Sequence, residues 1–87
     1  MKVREGFAIK EVADSFVIVP TGANLVDFSA MITVNDTGAF LWDKLQSDVT
    51  EQELIQHLLS EYDVDEDTAK ADVAEFVAVL MEKKVIE

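Results

Sequence analysis

His57 is the sole histidine of the chain and cysteine is absent, so the usual nucleophile, base and soft-metal chemistries have almost nothing to draw on. His57 sits beside Leu58 in a stretch of helical period, where a lone histidine ordinarily fills surface or core rather than serving as base or ligand. Asp63, Asp65 and Asp67 have the alternating spacing that opens a calcium loop. That loop needs glycine at its sixth position and glutamate at its twelfth, and the chain has Thr68 and Ala74 there. Helix capping accounts for these carboxylates better. Ser15, Ser29, Ser47 and Ser60 have no base within a credible neighbourhood, and the three glycines form no phosphate-cradling loop. The sequence reads as a non-enzyme with no cofactor and no metal.

One short motif invites a chemical reading. Asp14-Ser15-Phe16, in a small acidic chain, has the form of the Asp-Ser-Leu attachment site of acyl carrier proteins. In those helical bundles the serine opens a helix. Here it opens Phe16-Val17-Ile18-Val19, a β-branched run that prefers a strand, so the context required for carrier function is missing.

The elements that hold these residues follow from length and pattern. Eighty-seven residues are read as a single domain, 1–87, with 49% hydrophobic residues to build its core. A chain this short buries only about 60–65% of its unfolded surface, so each apolar segment is needed. Phe7 to Val12 reads as a strand with Phe7 and Ile9 on one face, and Ala13-Asp14 as a short connection. Phe16 to Val19 is apolar on both faces, as a central strand would be. Pro20-Thr21-Gly22-Ala23-Asn24 signals a turn, and extended character resumes over Leu25 to Phe28 and Met31 to Val34.

Helices follow, their starts marked by caps. Asn35 precedes a first helix that turns Phe40, Leu41 and Leu45 inward and ends near Ser47. Thr50-Glu51-Gln52-Glu53 is a capping box, with Val49 placed to staple onto Leu54. Leu54, Ile55, Leu58, Leu59 and Tyr62 then recur at helical spacing. Asp65 caps a third helix whose first turn holds Glu66 and Asp67 and whose apolar positions include Ala69, Val73, Phe76, Val77, Leu80 and Met81. Val85-Ile86 forms a short apolar tail. Three strands followed by three helices predict an α+β fold, with a small antiparallel sheet against a winged helix-turn-helix-like unit.

Charge narrows the partners. Eighteen carboxylates against seven Lys and Arg give a net charge of −11, which repels nucleic acid and anionic lipid. The third helix opens with Asp65, Glu66 and Asp67, where a DNA-recognition helix would carry basic and amide groups. No apolar run is long enough to span a bilayer, and Met1 to Gly6 leads into no signal-like stretch, so a cytoplasmic location is expected. What remains is binding. A three-stranded sheet has an edge to which a peptide can add, and the third helix is apolar enough to floor a groove beside it. All of those apolar residues could equally be core, and the residues alone do not decide between the two.

The stretch Met31-Ile32-Thr33-Val34-Asn35-Asp36-Thr37-Gly38-Ala39-Phe40-Leu41-Trp42 resembles the strand, Leu-Asn-x-Thr-Gly, apolar, Trp junction of the PqqD-like family, with Val34 in place of the usual leucine. The similarity runs back through Phe16 to Gly22 and onward through Leu45, Thr50 to Leu54, Tyr62 to Asp65 and Asp72 to Leu80. Members are recognition elements with a winged helix-turn-helix-like fold that bind the leader of a ribosomally made precursor peptide. The resemblance implies that the leader lies antiparallel to the third strand, between it and the third helix. It further implies that catalysis belongs to a modifying enzyme, often a radical S-adenosylmethionine enzyme, as in pyrroloquinoline quinone biosynthesis. Carried over by position, the peptide-binding residues are Ala30, Met31, Ile32, Thr33 and Val34 on the strand, and Val73, Phe76, Val77, Leu80 and Met81 on the helix. Thr37 and Gly38 are expected to shape the helix start, and Trp42 to pack. The alternative is a generic protein-interaction or dimerisation module, in which the same open edge receives another protein or forms a homodimer.

Overall fold

The computed structural model describes residues 1–21 and 31–86. The turn read at Gly22 to Asn24, the extended stretch Leu25 to Phe28, and Ala30 lie outside the described residues. Six elements follow in order: β1 Phe7–Val12, β2 Ser15–Pro20, β3 Ile32–Val34, α1 Asp36–Lys44, α2 Glu51–Glu61 and α3 Glu66–Glu82. The fold is α+β and winged helix-turn-helix-like, with three antiparallel strands followed by three helices.

The strands pair in chain order, so β2 is central. Its register opposes Ile9 to Ile18 and Phe7 to Pro20 on one side, and Phe16 to Val34 and Ile18 to Ile32 on the other. Side chains alternate faces along a strand. Phe7, Ile9, Phe16, Ile18, Ile32 and Val34 therefore share the face turned to the helices, and Ile18 at its centre is wholly buried. Ala13 turns the β1–β2 hairpin at φ 55, a left-handed conformation that an alanine adopts at some cost.

Caps start each helix as the sequence signals. Asn35 accepts from the Gly38 N–H, and Asp65 accepts from the Thr68 N–H. Thr50 and Glu53 exchange both bonds of the capping box, at 3.0 and 3.1 Å. The Asp65 bond also holds its carboxyl below the ordinary value of 3.8, because the Thr68 N–H favours the anion. A group with a depressed folded-state pKa stabilises above its unfolded value and loses that contribution as pH falls through the folded one. The destabilisation caused by Asp65→Ala, read from thermal melts, should accordingly be full above pH about 4 and fade in stronger acid.

The core lies where α2 and α3 meet each other and the sheet. Leu54, Ile55 and Leu58 from α2, Ala69, Val73, Val77 and Leu80 from α3, and Leu41, Trp42 and Leu45 from α1 and its end form one cluster with Ile18. Val85 and Ile86 join it because the first residues hold them there: Val3 bridges Ile86, and the Arg4 N–H donates to the Val85 carbonyl at 2.8 Å. The Met1 ammonium donates to Asp48 at 2.9 Å and to the Val49 carbonyl at 2.7 Å, tying the same segment to the α1–α2 link. Residues 1–4 thus tie the α1–α2 link to the segment that follows α3.

Candidate peptide-binding groove

Among the described residues β3 pairs only with β2, which leaves its other edge without a strand partner. Beside it lies a hollow of about 250 Å³ lined by β3 (Ile32, Thr33 and Val34), by the β3–α1 junction (Asn35, Thr37, Gly38 and Leu41) and by α3 (Asp72, Glu75, Phe76 and Val79). Sites that enclose a drug-sized ligand occupy roughly 300–1,000 Å³. This one has room for a side chain or two of a longer partner that continues beyond it.

The junction fixes the width of the hollow. The chain passes from β3 into α1 through Asn35 alone, whose side-chain oxygen accepts from the Gly38 N–H at 2.9 Å. That cap sets Gly38 directly against β3 and α3. A Cβ at Gly38 would lie 2.8 Å from the Val34 Cβ and 3.3 Å from Cε1 of Phe76. Glycine is thus required by proximity, so that the first turn of α1 can press on strand and helix together.

On α3, the residues facing the hollow repeat as i, i+3, i+4 and i+7: Asp72, Glu75, Phe76 and Val79. The buried stripe Ala69, Val73, Val77 and Leu80 runs beside it, rotated by one residue. The helix therefore shows one face to the core and a neighbouring, mixed face to the groove. A second, shallower hollow, lined by Asp14, Ser15 and Asp36, shares Thr33, Val34 and Asn35 with the first. No group of His, Asp or Glu among the described residues is placed to hold a metal ion. No described helix is long and apolar enough to cross a membrane.

A hollow of mixed lining beside a strand edge that no described strand covers, built on three strands and a helix-turn-helix, sits on a chain whose residues 16–86 match the family model for coenzyme PQQ synthesis protein D (PqqD). The chain belongs to the PqqD family. Two solved structures share the fold of this PqqD-family chain. TbiB1 in complex with the TbiA(beta) leader peptide matches with a TM-score of 0.75 at 22% identity, over 100% of this chain and 95% of the other. A lasso peptide synthetase B1 complexed with the leader peptide matches with a TM-score of 0.68 at 23% identity, over 93% of this chain and 89% of the other. No curated protein matches significantly.

Of the residues the sequence nominates, the PqqD fold brings Ile32, Thr33, Val34 and Phe76 around one hollow. Met31 precedes the strand and is exposed. Val73, Val77 and Leu80 lie in the core, at most 5% exposed, because the i, i+4, i+7 stripe of α3 turns them toward α2 and the shared core. Met81 is exposed and outside this hollow, and Trp42 packs in the core. The sequence reading omits Asp72, Glu75 and Val79, though their spacing around Phe76 was there to find.

Proposed function

We propose that the chain binds the leader of a ribosomally synthesised precursor peptide by adding it as a strand to the free edge of β3. The observation that carries this reading is the β3 edge that no described strand covers, beside a hollow where Leu41, Phe76 and Val79 lie, in a PqqD-family chain. An added strand takes affinity from main-chain hydrogen bonds and specificity from pockets for alternate side chains. The β3 edge offers the first, and the hollow over Phe76 the second. That both structural neighbours were solved with leader peptides supports the same reading.

The whole chain, 1–87, then acts as one recognition module without catalysis of its own. Residues 30–34 and the groove face of α3 hold the leader, while the remainder of the precursor visits a modifying enzyme, a radical S-adenosylmethionine enzyme on the family resemblance. Tethering raises the substrate's effective concentration at that enzyme to about the millimolar range. The module works in the cytoplasm, where precursor and enzyme are made.

Val79→Glu tests the groove. Val79 is half-buried and outside the fully buried stripe, so the fold should survive the change. A carboxylate in place of the apolar contact beside Phe76 should weaken binding of a fluorescent leader, taken from a short open reading frame beside the gene, by about ten-fold or more. Unchanged anisotropy titration curves would remove the hollow from the binding site.

A further inference from the structure

The two hollows at β3 share Thr33, Val34 and Asn35, and both are lined by charge of one sign. Their lining holds four carboxylates, Asp14, Asp36, Asp72 and Glu75, and no lysine, arginine or histidine. None of the four has an ion-pair partner among the described residues, whose salt bridges are Met1–Asp48 and Lys70–Glu66. Asp72 and Glu75 stand on the same helical face as Phe76 and Val79, so along one wall two acids lead into two apolar groups. Asp14 and Asp36 mark the second hollow, which continues past Thr33 and Val34.

We propose that this groove selects basic leader segments, in which an apolar anchor over Phe76 and Val79 is flanked by Lys or Arg paired with Asp72 or Glu75. The proposal rests on the leader-binding reading above and names the chemistry of its ligand. A second copy of the chain is disfavoured as the occupant, because it would bring the same carboxylates and a further −11 of charge. Asp72 and Val79 are about 10 Å apart along the helix axis, a distance that about three residues of extended chain span. The basic residue therefore falls within about three positions of the anchor.

Exposed ion pairs are individually weak, each worth about 1.5- to 5-fold in affinity. Their signature is a strong salt dependence and a bias among sequences. The test is selection of a short random peptide library on the whole chain at low salt, followed by titration of the synthetic winners. Enriched peptides should carry Lys or Arg in excess of Asp or Glu beside an apolar anchor. Binding should weaken as salt is raised, and Asp72→Asn with Glu75→Gln should cost between about two- and twenty-fold. Both side chains are exposed, so this double variant should remain folded. Neutral or acidic winners whose binding still fails on Val79→Glu would overturn the charge proposal while leaving the groove in place. Winners indifferent to Val79→Glu would overturn both.

Discussion

Proline placed singly at Ile32 and at Thr33 should split the two properties of β3, one variant losing leader binding and the other losing stability. Successive residues of a strand direct their N–H groups to opposite edges, so one of these two donates toward β2 and the other toward the open side. This direction lies in the plane of the sheet and is independent of which side chain faces the core. Proline removes the donor and fixes φ near −65°, well short of extended antiparallel geometry. On the open side that change leaves a leader carbonyl without its partner, at a cost of about 1–3 kcal/mol. The corresponding loss is about five- to 150-fold in affinity. On the β2 side it breaks a ladder that is only three residues long, pairing Ile32, Thr33 and Val34 with Ile18, Val17 and Phe16. Melting temperature and leader affinity, measured on both variants, should therefore move separately. Two folded proline variants that both bind leader with wild-type affinity would contradict strand addition.

Gly38→Ala should damage groove and fold together. The added methyl meets the Val34 Cβ at 2.8 Å, closer than two carbons can sit, and that atom is fixed to the β3 backbone. Strand or helix must move, and overpacking of this kind costs about 1–3 kcal/mol. Because the atoms in conflict belong to β3 and Phe76, the displacement falls on the two walls of the hollow. Leader affinity should fall by at least the factor that a misplaced strand edge imposes, beyond the loss of melting temperature. Adding Val34→Ala should not rescue it, since alanine keeps the offending Cβ, whereas Val34→Gly should relieve the contact at the expense of strand propensity. Full affinity in Gly38→Ala would show that the close approach of α1 to β3 has no part in recognition.

Much of the architecture could be read directly from residue types. The caps at Asn35, Thr50 and Asp65 were legible because each satisfies backbone donors within three residues, and such local chemistry needs no knowledge of the fold. The placing of Phe7 and Ile9 on one face of β1 and the all-apolar character of β2 likewise reported a strand with one inward face and a central strand. The groove was legible only in part. On α3, apolarity alone does not separate Val73, Val77 and Leu80, which pack in the core, from Phe76, which reaches the hollow. The distinction is a rotation of one residue about the helix axis, fixed by how α3 docks on α2. Asp72 and Glu75 carry no mark of the groove in sequence, because a carboxylate gives no sign of the pocket beside it until β3 is placed opposite. Nor does the Asn35–Gly38 spacing disclose that Gly38 touches Phe76, a contact between residues 38 positions apart that exists only in the folded chain.

The central claim, that a leader peptide lies along β3 over the hollow of Phe76 and Val79, is tested most directly by titrating isotope-labelled protein with an authentic neighbouring leader and following backbone amide shifts. The predicted result is saturable shifts concentrated in Ile32 to Gly38 and Asp72 to Val79, together with slowed hydrogen exchange at the outward N–H of β3. Shifts confined to the outer face of β1 and β2, or to the α1–α2 surface of Phe40 and Tyr62, would place the peptide elsewhere and contradict the account.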